Sequence, residues 1–179
     1  RFAHDPDDPE SLALDTVRCI LEDAAGRLWV GTQGGGLDLL DRATGTFTHH
    51  RHDPSDTWSL PGDDVRALLE DSKDRLWVGT LDGLARREAD GGFTSLVHVS
   101  DHAGSLVDNR VLSLLQDRRG ELWVGTAAGL DVVDPDTLAV RHVALPAGAQ
   151  TIRSMVEDHT GAVWLASDGG GVGCVNPES

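Results

Sequence analysis

Three arginines, Arg18, Arg66 and Arg153, each follow an aliphatic anchor (Val17, Val65, Ile152) in copies of one repeating motif. Leu112 takes that place in the remaining copy. Guanidinium groups at equivalent repeat positions converge when repeats are set about an axis. Converged arginines can grip a carboxylate or sulfate bidentately. The competing use is structural, each arginine pairing with a nearby acid such as Asp15 or Asp64. A second candidate is HHRHDPSDTW, with His49, His50, His52, Asp53, Asp56 and Trp58. Histidines beside carboxylates suit a metal. Trp58 lies outside the repeat pattern, where an exposed indole can stack on a sugar ring. A polar outer strand and a solvated connector explain this stretch more simply. Asp5, Asp7, Asp8 and Glu10 resemble calcium ligands but lack the glycine and terminal bidentate glutamate of an EF-hand loop. No Ser-His-Asp order or nucleophile elbow can be picked out. TQGGGL and SDGGGV fall between strands instead of before a helix, so they do not read as phosphate loops. No catalytic residue, metal or cofactor is therefore expected. The ligand-binding candidates are Arg18, Arg66, Arg153 and Trp58.

The elements that carry these residues recur. Trp29, Trp77, Trp123 and Trp164 are spaced by 48, 46 and 41 residues. Val17, Val65, Val111 and Ile152 lie twelve residues before their tryptophans, and Asp23, Asp71, Asp117 and Asp158 lie six before. Gly26, Gly120 and Gly161 lie three before, with Asp74 as the exception, a residue that tolerates the left-handed region better than most. Ser11-Leu12, Ser59-Leu60 and Ser105-Leu106 precede three of the units.

Each unit reads as short strands. VRCILED, VRALLED, VLSLLQD and IRSMVED are strand-length apolar runs. D-x-x-G supplies a tight turn. RLWVGT is a second strand, GLDLLD and its copies a third, and TFTHHR, GFTSLVHV and LAVRHV a fourth. Four short strands per unit without helical periodicity predict an all-β fold: a β-propeller with four blades of four-stranded antiparallel sheet. The repeats run over about 2–46, 47–92, 93–139 and 140–176, each beginning with an outer strand. The segment at Phe2 is expected to pair beside Gly171–Val175 and complete the last blade. The alternatives are an open segment of a larger propeller, or two chains joined into an eight-bladed ring. Each tryptophan is expected to be the large plate between blades, burying about 150–250 Å².

The chain has 179 residues, 30 acidic and 15 basic, for a formal charge of −15. That field opposes nucleic acid and anionic lipid. No apolar run reaches a membrane span's length, so direct membrane insertion is not expected. Cys19 and Cys174 lie in different units and read as buried free thiols. The chain begins at Arg1 and reads as a piece of a longer protein.

The pattern V-x-x-[ILM]-x-x-D-x-x-G-x-[LV]-W-[VL]-G-T, then G-L, a phenylalanine and an HDP…SL connector, resembles the two-component regulator propeller repeat. RFAHDPDDPESLALDTV and FTHHRHDPSDTWSLPGDDV carry the connector. The resemblance spans essentially the whole chain and is weakest in the fourth unit, where Ala166-Ser167 replaces Gly-Thr. It implies a non-catalytic, extracytoplasmic (periplasmic) sensor region of a bacterial histidine kinase, hybrid kinase or diguanylate cyclase, one that responds to an oligosaccharide. The rivals are a propeller enzyme acting on glycans and a protein-interaction scaffold. Self-association through the terminal blades is a further expectation.

Overall fold

The four apolar runs that open each unit all become strands, and each sheet is assembled from strands consecutive in the chain. The structure is a computed structural model and describes residues 1–145 and 150–176. The first blade is β1 (Val17–Glu22), β2 (Leu28–Thr32), β3 (Leu37–Leu40) and β4 (Phe47–His50). The second is β5 (Val65–Glu70), β6 (Leu76–Thr80), β7 (Gly83–Arg87) and β8 (Phe93–Leu96). The third is β9 (Val111–Gln116), β10 (Leu122–Thr126), β11 (Leu130–Val133) and β12 (Val140–Val143). The fourth is β13 (Thr151–Glu157), β14 (Val163–Asp168) and β15 (Gly171–Val175), three strands among the described residues. All pairings are antiparallel meanders. The blades stack in chain order through their first strands, β1 on β5, β5 on β9 and β9 on β13.

The aspartate six residues before each tryptophan has a double use. Asp71 Oδ1 accepts the backbone N–H groups of Lys73 and Arg75, which closes the turn. Its Oδ2 accepts the indole N–H of Trp77 at 2.8 Å. Asp23 does the same for Trp29 at 2.8 Å, Asp117 for Trp123 at 3.0 Å and Asp158 for Trp164 at 2.8 Å. Asp74 adopts φ 59°, matching the glycines at its position in the other units.

Burial alone pushes the Asp71 carboxyl up. Hydrogen bonds from Trp77, the turn N–H groups and Arg75 outweigh it and hold the group below the usual carboxylate range. Asp23 is held down in the same way, against its burial, by Trp29 and Arg27. A carboxyl depressed by folding contributes stability above its unfolded value of about 4, and that contribution is lost as pH falls through the lower folded value. Thermal midpoints should therefore hold from pH 7 to about 5 and fall below about 4. The fall should be shallower in Asp71→Asn. An equally steep fall in that variant would count against this role.

Between blades, Trp29 and Leu37 pack on Val65, Val78 and Phe93 of the next sheet and on Leu60 of the connector. Trp77 and Leu84 meet Val111, Leu122 and Val124. Trp123 and Leu130 meet Ile152, Val163 and Leu165. The glycine of W-V-G-T is what allows this approach. A β-carbon on Gly31, Gly79 or Gly125 would lie 2.6, 2.6 or 2.8 Å from a methyl of Val65, Val111 or Ile152 respectively. The threonine that follows is buried and donates its hydroxyl to the carbonyl of the Gly-Leu glycine: Thr32 to Gly36, Thr80 to Gly83, Thr126 to Gly129.

The HDP…SL connectors are latches. The N–H groups of His4 and His52 donate to Asp15 and Asp63, and that of His98 donates to Asn109. The same imidazoles place Nδ1 2.7–2.9 Å from the carbonyls of Leu12, Leu60 and Leu106.

Two expectations need correcting. Phe2 lies in no strand and does not complete the last blade; its ring packs edge-on against Phe47, centroids 5.4 Å apart. The sheets run from inner to outer strand within each blade. The cysteines are not both buried. Cys19 is half-buried, and burial pushes its thiol up to about 12, whereas Cys174 is exposed. Its exposure follows from the shape of the array. Trp29, Trp77 and Trp123 are fully buried, but Trp164, the pairing partner of Cys174, is 43% exposed because no further sheet of the described residues covers it.

Candidate functional site

The register of the first strands explains where the repeat arginines point. Val17 pairs with Thr32 and Cys19 with Gly31, so Arg18 is an extra, unpaired residue. Arg66, Leu112 and Arg153 are skipped in the same way in β5, β9 and β13. Such a bulge bends the strand and re-aims the side chain at its position. It therefore recurs in all four blades at the position singled out in the sequence, on the innermost strand and close to its starting end.

Arg66 and Arg153 line one cleft of about 400 Å³ spanning the second to fourth blades. Arg110, Leu112, Thr151 and Asp168 share its wall. Arg18 does not reach it; its guanidinium donates to the Gln33 side chain. Asp15, weighed as a partner for Arg18, is used by His4 instead.

Each cleft arginine has one acid. Arg66 Nη2 donates to Asp64 at 2.9 Å, with Nε 2.6 Å from the other oxygen. Arg110 grips Asp108 through Nε at 3.0 Å and Nη2 at 3.1 Å. Arg153 directs Nε and Nη2 to one oxygen of Asp168, both at 2.7 Å. Burial pushes the Asp108 carboxyl up, but Arg110 overcomes this and holds it below the ordinary range. Three guanidinium groups thus face three carboxylates. The site presents donors and acceptors side by side with little net charge. Such a surface matches neighbouring hydroxyls better than a lone anion.

Arg110 has no equivalent in the arginine series. It precedes the anchor Val111, at the place of Asp64 in the second unit, so a search at one fixed offset passes over it. Its sequence signal is the D-x-R spacing of Asp108 and Arg110, which repeats that of Asp64 and Arg66.

Trp58 is elsewhere. Val65–Thr80 and Leu84–Leu96 pairings mark one end of the second blade, Glu70–Leu76 and Arg87–Phe93 the other. Arg66 stands at the first end on the inner strand. Trp58 accepts the N–H of Phe93 at 2.8 Å, at the second end on the outer strand. Its indole is 57% exposed. The two groups therefore cannot touch one small ligand. The neighbouring histidines also diverge. His49 lies 2.6 Å from Asp38, His50 packs between the rings of Trp29 and Phe93, and His52 is taken by its latch. Among the described residues no three ligand-capable side chains converge on a metal position.

Residues 11–34, 59–82 and 105–128 match the family model of the two component regulator propeller. No curated protein sequence matches the chain. Among solved structures it is similar to the extracellular domain of BT3049 from B. thetaiotaomicron, described as a hybrid two component system, with 25% identity and a TM-score of 0.76 over 99% of this chain and 23% of that one. It is also similar to the extracellular domain of BT4673 from the same organism, described as a one component system, with 25% identity and a TM-score of 0.75 over 98% of this chain and 25% of that one. The chain thus spans about a quarter of the length of these two structures. Virginiamycin B lyase from Staphylococcus aureus superposes with a TM-score of 0.71 at 13% identity, over 96% of this chain and 55% of the lyase, a likeness of fold alone. From the indole-capping aspartates, the interblade glycines and the three matched segments together, the chain is an all-β propeller array, three of whose units match the two component regulator propeller repeat.

Proposed function

We propose that this array is a non-catalytic, ligand-sensing part of an extracytoplasmic propeller in a bacterial signal-transduction protein, and that its ligand is a hydroxyl-rich molecule such as an oligosaccharide. The observation that carries the reading is the convergence of Arg66, Arg110 and Arg153, each with its carboxylate, on one cleft formed by three blades. The extracellular domains that the chain resembles support the location and the sensor role. On this reading the array lies in the periplasm and feeds a kinase or cyclase, and the same likeness supports its extracytoplasmic position.

The paired charges favour a neutral sugar over the acidic glycan that unpaired arginines would select. A net charge of −15 acts in the same direction. The lyase-like fold keeps an enzyme as the rival, since fold does not give function. The cleft's own carboxylate, Asp168, is held by Arg153, and this supports binding over acid–base chemistry.

Calorimetric titration of neutral and acidic oligosaccharides against the wild type and Arg110→Ala tests the proposal. Neutral oligosaccharides should bind, and acidic ones no more tightly. Arg110→Ala should weaken binding about ten- to a hundredfold, the effect of losing a charged hydrogen bond. Absence of binding, or an unchanged affinity in Arg110→Ala, would overturn it.

A further inference from the structure

The first and third blades carry the same aspartate–histidine dyad in two different settings. Asp38 pairs with His49 across β3 and β4, and Asp131 with His142 across β11 and β12. Each imidazole holds Nδ1 2.6 Å from its carboxylate. The other carboxylate oxygen accepts a connector N–H at 2.8 Å, from Ala13 or from Val107. The second blade has Ala85 and Ser95 at these positions. In the first blade His49 Nε2 lies 2.9 Å from the Pro9 carbonyl of the connector, which seals the dyad. In the third blade Ala103 stands at the place of Pro9, and His142 Nε2 meets no partner among the described residues. His142 instead lines a cleft of about 350 Å³ between the third connector and the outer strand, a volume that suits a small molecule.

His98 and His102 line the same cleft. His102 stands where the other connectors have Asp8 and Asp56, and it takes over their turn contact. Its Nδ1 accepts the N–H of Gly104 at 3.1 Å, as Asp8 accepts that of Glu10 and Asp56 that of Trp58. His98 Nδ1 is held by the Leu106 carbonyl at 2.7 Å. These partners assign the protons of the neutral rings. A carboxylate and a carbonyl only accept, so His142 and His98 carry the proton on Nδ1 and present Nε2 as an acceptor. His102 accepts at Nδ1, so its Nε2 is a donor. The Asp131 side chain is fully buried, and its hydrogen bond fixes the His142 ring and raises the basicity of the open nitrogen.

Between the imidazoles the walls are carbon, from Val99, Leu106 and Val107. Asp101 also lines the cleft, and its charge opposes an anion. An ammonium has three donors to satisfy and is strongly hydrated, so carbon walls disfavour it. A sugar carries hydroxyls on every side, and these walls leave most of them unpaired. A flat apolar ring with one strongly donating hydroxyl meets every requirement. We propose that this cleft is a second ligand site and that it takes a phenol, whose hydroxyl donates to His142 Nε2 while its ring lies against Val99, Leu106 and Val107. The site shares no lining residue with the arginine cleft, so the two stand or fall separately.

Calorimetric titration of the whole chain with phenol and with anisole tests this, alongside nitrogen-15 spectra of the imidazoles. Anisole is the same ring with the donated hydrogen replaced by a methyl group. Phenol should bind, and anisole roughly tenfold more weakly, the effect of one lost hydrogen bond. The His142 Nε2 resonance should move with phenol while that of His49, closed by Pro9, stays in place. His142→Phe, which keeps a ring but no acceptor, should lose about as much affinity as anisole does. The comparison with the ether uses the unaltered chain, so it holds whatever that variant does to folding. Absence of phenol binding, equal affinity for phenol and anisole, or an unmoved His142 Nε2 resonance would overturn the proposal. Binding of benzylamine or of zinc in this cleft without binding of phenol would overturn it as well.

Discussion

Replacing Trp77 by alanine is expected to cost about 3–5 kcal/mol of stability, the range for truncating a large buried aromatic. Trp77 is fully buried against the third blade, and its N–H is held by Asp71. The variant leaves a cavity between two sheets and removes one of the two donors to Asp71 Oδ2, the other being Arg75 Nε. Trp58→Ala should cost under about 1 kcal/mol, as for a surface substitution. Trp164→Ala falls between the two, because the same motif residue there has one face in solvent. Denaturant melts of the three variants give the order directly. Equal losses for Trp77 and Trp164 would show that the indole matters within its own blade and not between blades.

Gly79→Ala is expected to cost about 1–3 kcal/mol, the usual range for overpacking. A β-carbon there would lie 2.6 Å from Val111 Cγ1 and 3.4 Å from the β-carbon of Ala67, and both neighbours are buried in the array. Two strands would have to separate to admit it. Combining Gly79→Ala with Val111→Ala should recover part of the loss, because the second change removes the methyl that collides. A double variant no better than the sum of the two singles would place the cost elsewhere.

The repeat made much of the fold legible because each contact that forms it is made again in the next unit. The spacing of tryptophan, aspartate and glycine reports an indole capped by a turn carboxylate and a backbone that admits a valine, and both recur with their letters. Periodicity does not report where an array stops being covered. Trp164 carries the same pattern as its buried counterparts, yet no sheet of the described residues lies over it or over Cys174. Phe2 matches Phe47 and Phe93 in type but has no strand beside it, so it packs on Phe47.

The site was half legible for a related reason. Arg66 and Arg153 share the bulge position, and the bulge aims both into the cleft. Arg18 shares the position too but belongs to the end blade, outside the cleft. Arg110 sits two residues before the bulge position, which Leu112 fills in its blade, and lines the cleft together with that leucine. Trp58 was legible as exposed but not as distant. Its connector returns along the outer strand of its blade before entering the inner one, a path that no spacing encodes.

The most direct test of a ligand seated among the paired arginines is a nuclear magnetic resonance titration with a neutral oligosaccharide, following arginine Nε–H and tryptophan indole N–H signals together. The Nε–H signals of Arg66, Arg110 and Arg153 are predicted to shift in step, with those of Arg18 and the indoles of Trp58 and Trp164 unmoved. Shifts confined to Trp58, with the three cleft arginines silent, would contradict it.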